Sequence, residues 1–202
     1  MPPNDDARQS TTLVRDLISV GVFTALYFVV LAVVGQLGAL VPIGQVLGPF
    51  YIPILCGIPF MLFLTRVQRF GLITAMGVLV GLLFLVTGQA WTTLALGFVL
   101  GLLADGIAFL GRYRRWPMLL ASYVIFAEIS IGMVVPLFFQ RNDVIARLSK
   151  RHDTTWVNQI ISLTPPWMFY VMIGMVVVGA VIGAYIGRGI FRKHFAYLGK
   201  KQ

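Results

Sequence analysis

The chain has 202 residues, of which 58% are apolar and only 11% charged, and its mean hydropathy is +0.88. A soluble domain carries about 25% charged residues, so this composition excludes an ordinary water-soluble fold, while the length suits one domain. The net charge of +9 would point to nucleic acid in a soluble protein, but in a membrane protein the placement of the basic residues reports sidedness instead.

The N-terminal stretch MPPNDDARQSTT is polar and lacks the basic start of a cleaved signal peptide, so the first apolar run is expected to remain as a membrane helix. Six spans are predicted, over about 13–34, 48–64, 71–86, 90–110, 116–139 and 165–187. Each approaches the roughly 20 apolar residues that a helix needs to cross the hydrocarbon core. The runs are continuous rather than alternating, which favours helices over a barrel. The expected fold is therefore an all-α integral membrane protein, a single six-helix bundle.

The first span carries Gly21 and Ala25 at four-residue spacing, a small face suited to docking another membrane subunit. The second holds Pro49, Pro53 and Pro59 with Gly57, and the only cysteine, Cys56, reads as a buried thiol with no metal-ligand spacing around it. The pairs Gly77/Gly81 and Gly97/Gly101, and later Gly179, Gly183 and Gly187, read as close helix packing. Asp105 lies within the last turns of the fourth span, and Arg112 and Arg114 follow it, so an ion pair with that basic turn is expected. The fifth span holds one ionisable residue, Glu128. A carboxylate at mid-membrane must face the interior or a cavity. Gly132 and Val135 would share its helical face and leave room beside it.

Twelve of the sixteen Lys and Arg residues fall on the N-terminal arm, the even connections and the tail 188–202. Arg141, Arg147, Lys150 and Arg151 fall on the other side. Both termini are thus expected in the cytoplasm. Two long outer connections are predicted, 35–47 and 140–164. The second has apolar residues at helical spacing (Val144, Ile145 and Leu148, then Val157, Ile160 and Ile161), which predicts short interfacial helices forming a lid. Thr164 before Pro165 reads as the cap that restarts the last span.

Polar and aromatic residues gather at the outer junctions: Gln36, Gln45, Tyr51, Gln89, Trp91, Asn158, Trp167 and Tyr170. Such residues build either ligand pockets or interfacial belts. With Glu128, the residues Gln45, Tyr51, Gln89, Trp91, Asn158 and Trp167 form the candidate substrate site. Glu128 favours a cationic or hydrogen-bonding substrate, and the basic loop Arg141 to Arg151 favours an anion. No phosphate-binding loop of the G-x-x-x-x-G-K-[ST] type is present, and both histidines, His152 and His194, lie outside the spans. No catalytic role, cofactor or metal is expected.

Several stretches carry a resemblance: Asp16 to Val30, Pro59 to Gly71, Gly101 to Asp105, Leu163 to Trp167, and Phe191 to Phe195. In order and spacing they resemble the Trep_Strep, or MptD-like, family, whose members look like S components of energy-coupling factor (ECF) transporters. The resemblance implies a membrane subunit in the prokaryotic cell membrane that captures a micronutrient from outside. It also implies docking on a transmembrane coupling subunit that carries two ATPases, with Gly21 and Ala25 at the positions of the docking motif. A stand-alone channel or facilitator, or a non-transport scaffold, is the alternative expectation.

Overall fold

In hydrocarbon every backbone N–H and C=O must find its partner within the protein, so continuous apolar runs fold as helices. The computed structural model describes residues 5–66, 68–88 and 91–198, and the side chains of 14–66, 68–88 and 91–190. Among the described residues all regular structure is helical. The elements are α1 (Asp5–Gly38), α2 (Pro42–Arg66), α3 (Leu72–Val86), α4 (Thr92–Leu110), α5 (Trp116–Ala127), a 3₁₀ segment (Glu128–Met133), α6 (Val135–Phe139), α7 (Arg141–Leu148), α8 (Thr154–Leu163) and α9 (Met168–Leu198). Among the described residues five stretches are long and apolar enough to cross a membrane: Val14–Gly38, Pro42–Arg66, Thr92–Leu110, Trp116–Met133 and Met168–Ile190. The sixth predicted span, α3, is apolar but has 15 residues. It covers about 22 Å, less than the roughly 30 Å of a bilayer core.

Three expectations are corrected. The segment 35–47 is not a long loop: α1 runs through Gly38, α2 starts at Pro42, and only 39–41 connect them. Proline is well placed there, because the first turn of a helix has no partner for its N–H. Thr164 does not cap the last span. It ends α8, donating its hydroxyl to the Ile160 carbonyl at 2.6 Å, and α9 begins at Met168. The fifth span is not one α-helix but breaks at Glu128 into 3₁₀ turns. Pro136 has no N–H for the carbonyl of Gly132 and disfavours the α conformation in the residue before it. Ser130 adds to the break by donating its hydroxyl to the Ala127 carbonyl at 2.8 Å. Thr92 on α4 supplies the missing donor to Gly132 at 2.9 Å.

Small residues set the packing. A Cβ on Gly183 would stand 2.5 Å from the Pro53 carbonyl oxygen, and one on Gly57 would stand 2.5 Å from Gly183. Gly179 is closed by the Phe50 carbonyl and Gly187 by Gly57 and Met61, so α2 and α9 touch backbone to backbone. Gly77 and Gly97 meet in the same way between α3 and α4, with Gly81 against Leu94 and Gly101 against Thr74. Close approach maximises dispersion where lipid removes the hydrophobic drive between helices. Gly21 has open space around it, and Ala25 is exposed on the same side of α1. In the central core Phe60 packs at a tilt against both Tyr123 and Phe126, with ring centroids 4.9 and 4.7 Å away, and Tyr27 meets Phe126 edge-on. Cys56 is fully buried beside them. Outward the bundle shows Leu17, Ile18, Val22, Val29 and Val33 of α1 and Val177, Val178 and Ile182 of α9, an apolar surface suited to lipid.

The helices α1, α3 and α5 run toward one end of the bundle, where α6, α7 and α8 sit; this is the capped end. At the far end Asp105 is completely buried. It does not pair with Arg112 or Arg114, both of which are exposed. Its Oδ2 accepts the Gly71 N–H at 2.7 Å and, at 3.1 Å each, the N–H and hydroxyl of Thr74. Its Oδ1 accepts the Tyr113 hydroxyl at 2.7 Å. Gly71 is the N-cap of α3, at φ 96°, and has no side chain to cap with, so Asp105 caps α3 from the neighbouring helix. A carboxylate there also meets the positive end of the helix dipole. Burial, and then the bond to Asp105, holds the Tyr113 phenol well above its ordinary pKa. Arg112 and Tyr113 take left-handed backbone conformations, φ 50° and 52°, which turn that ring back under α4. Nearby, Arg69 reaches Asp16 of α1 at 3.4 Å.

Candidate functional site: a roofed cavity at the capped end

The capped end encloses a cavity of about 650 Å³, within the range of small-molecule sites. Seven helices and the 3₁₀ segment contribute to its lining. Its apolar walls come from Phe28, Leu31 and Ala32 of α1, Val46 and Ile52 of α2, Phe84 of α3 and Met172 of α9. Polar groups stand among them: Gln36, Gln45, Tyr51, Thr87 and Ser130. The Tyr51 hydroxyl donates to the Gly44 carbonyl at 3.0 Å, which fixes the ring.

The roof is α7 with the turn that follows it. Val144, Arg147 and Leu148 share one face of α7 at helical spacing and line the cavity. Lys150, Arg151 and His152 of the turn line it as well. The turn is anchored on α8, where the Asp153 carboxylate accepts the Trp156 N–H at 2.8 Å as N-cap and His152 stacks on Trp156 at 3.9 Å. Arg141 holds the other end of α7. Pro165 has no N–H for the Ile161 carbonyl. Arg141 supplies one at 3.0 Å through Nη2, and its Nη1 donates to the Thr164 carbonyl at 2.7 Å. A cation at the carbonyl end of α8 also complements its dipole. Of the four basic residues in 140–164, one therefore caps a helix, and the other three line the cavity and are exposed.

The candidate residues separate. Gln45 and Tyr51 line the cavity, as does Gln36. Glu128 does not: in 3₁₀ winding, with three residues per turn, Ser130 and Met133 share the cavity face while Glu128 points elsewhere. Glu128 is half-buried, and one of its carboxyl oxygens is buried without a hydrogen-bond partner. The room expected at Gly132 is absent, since a Cβ there would stand 2.8 Å from the Thr93 Cα. Trp91, Asn158, Trp167 and Tyr170 are exposed and lie outside the lining. Gln89 lies outside the described residues. The residues absent from the candidate set are Arg147, Lys150, Arg151 and His152, signalled by their position on an amphipathic segment, and the α1 wall. That wall was legible as the spacing Phe28, Ala32, Gly35, Ala39, a face that narrows to small residues.

A second recess, of about 440 Å³, lies between α1 and α2. It is an apolar groove of Leu26, Val29, Val33, Leu55, Ile58 and Pro59 on the side of the bundle.

These features define a helical integral membrane protein with a small-molecule-sized cavity roofed at one end. The chain belongs to the family described as hypothetical bacterial integral membrane protein (Trep_Strep), whose model matches residues 14–196. No curated protein and no solved structure matches it.

Proposed function

We propose that this protein is the substrate-capturing S component of an ECF-type importer, in the plasma membrane of a bacterium. The observation that carries the reading is the roofed cavity of about 650 Å³ at the capped end. A cavity closed below by the Tyr27, Phe60, Tyr123 and Phe126 core suits capture better than conduction. The sequence has no phosphate loop, so energy for uptake would come from two ATPases held by a transmembrane coupling subunit. In this reading the chain itself is not an enzyme. α3 serves as a sixth, short crossing, both termini are cytoplasmic and the cavity opens outward, in keeping with the excess of Arg and Lys at the far end. The open face of Gly21 and Ala25 would receive the coupling subunit. Ligand and coupling subunit would each shift the population of orientations by their differential affinity.

The test is affinity purification of the tagged chain from its own host under gentle detergent. Co-purification of a coupling subunit and two ATPases is expected, and Gly21→Leu should abolish it without loss of the chain from the membrane. Solute flux through the purified chain alone in liposomes would instead establish a facilitator. A complex lost without any change in uptake would establish a scaffold.

A further inference from the structure

We infer that the solute captured in this cavity, as proposed above, is a water-soluble organic anion. Its acidic group (carboxylate, phosphate or sulfonate) faces α7, and its apolar or aromatic body lies against the wall made by Met172 and the edge-to-face pair Phe28 and Phe84, whose ring centroids are 5.0 Å apart. Arg147, Lys150 and Arg151 line the cavity with His152 while remaining open to solvent, and among the described residues no Asp or Glu lines it. The nearby acids are engaged or turned away: Asp153 caps α8, Asp143 is exposed on α7 outside the lining, and Glu128 faces elsewhere. The fourth cation of the segment, Arg141, is consumed by the carbonyls of Ile161 and Thr164, whereas Arg147 donates from Nε to the Asp143 carbonyl at 3.3 Å, a bond within α7 that does not tie the roof to its neighbours.

Clustered like charges repel one another, and an anion in their midst relieves that repulsion. Apolar walls beside the cluster lower the local dielectric and strengthen the attraction, while guanidinium groups offer paired donors that match carboxylate and phosphate geometry. A cation would meet the same field with the opposite sign, and an inorganic anion would leave the apolar walls unfilled. A soluble molecule is favoured over a lipid because seven helices surround the space and α7 roofs it. The groove between α1 and α2, open on the side of the bundle, is where an acyl chain would fit.

The full-length chain, purified in detergent and immobilised, is incubated with a protein-free and lipid-free small-molecule extract of the host bacterium. Retained compounds are identified by mass spectrometry in both polarities. Wild type is compared with the triple variant Arg147→Gln, Lys150→Gln, Arg151→Gln and with the charge-preserving Arg147→Lys, Lys150→Arg, Arg151→Lys. The expected result is an organic acid retained by wild type and by the charge-preserving variant, and reduced at least about tenfold in the triple Gln variant at unchanged elution volume. A cation or neutral compound retained by all three would overturn the anion and leave capture standing. A phospholipid carried through purification and lost only from the triple Gln variant would overturn the soluble solute. Retention of no compound by wild type would overturn capture itself, and the anion with it.

Discussion

The hydroxyl of Tyr51 occupies the space that a side chain on Gly38 would need. Gly38 ends α1, and Tyr51 stands across the short turn on α2, in the cavity wall. A methyl group at Gly38 would also stand 3.2 Å from the Gly44 carbonyl oxygen, the acceptor for that hydroxyl. Gly38→Ala therefore has to push the ring toward the cavity, at an overpacking cost of about 1–3 kcal/mol. Thermal unfolding in detergent should show a lowered Tm, and Gly38→Ala combined with Tyr51→Leu should lie closer to wild type than the single variant does. A wild-type Tm for Gly38→Ala would show that the turn has room the structure denies it.

Thr92 carries a second relationship of this kind, since it repairs the acceptor that Pro136 strands at Gly132. Thr92→Val keeps the shape and removes the donor, leaving a buried carbonyl unpaired at a cost of about 1–3 kcal/mol. Thr92→Ser should retain the hydroxyl and stay near wild type. Equal Tm values for the Val and Ser variants would remove the hydroxyl from the account of the 3₁₀ break.

At the far end, Asp105 accepts four hydrogen bonds and Arg112 is exposed. Asp105→Ala strands the partly buried donors at the start of α3 and the buried Tyr113 hydroxyl, and should cost about 3 kcal/mol. Arg112→Gln should leave Tm unchanged. If Arg112→Gln destabilises as much as Asp105→Ala, the carboxylate is an ion-pair partner after all.

Arg141 and Arg147 lie less than two turns apart on α7 and should behave oppositely. Arg141→Met removes donors to the Ile161 and Thr164 carbonyls, and should lower Tm and loosen protease resistance between α7 and α8. Arg147→Gln should leave Tm in place and reduce retention of an organic acid about tenfold. Exchange of these two phenotypes would reverse the assignment of cap and cavity residue.

Cys56 gives a direct reading of core integrity, because it is fully buried in α2 and is the sole thiol in the chain. In the folded protein a maleimide should label it on the timescale of global unfolding, and within seconds to minutes once denatured. Fast labelling of the native protein would mean that α2 opens locally.

Much of the architecture was legible without coordinates because membrane burial writes itself into composition. Long apolar runs such as 168–190 have one way to satisfy their backbones, and glycines four apart, as at 179, 183 and 187, announce close contact. The helical character of 140–164 was readable in its apolar spacing. The family was readable in ordered motifs from Asp16 to Phe195, and the match over 14–196 agrees with it. What tertiary structure decided was which polar group meets which. Glu128 was placed beside a cavity by α-helical spacing, but Pro136, eight residues later, winds the segment as 3₁₀ and turns the carboxylate away. Asp105 has arginines near in sequence, yet the bare N-terminus of α3 is nearer in space and offers three donors with the correct geometry. Four basic residues look alike on one short stretch. The fold brings Arg141 against the Ile161 carbonyl that Pro165 leaves unpaired at the end of α8, and sets Arg147, Lys150 and Arg151 along the lining of the cavity. Solvent and span are properties of a residue and its neighbours in sequence, whereas the pairing of a charge depends on atoms brought together from distant turns of the chain.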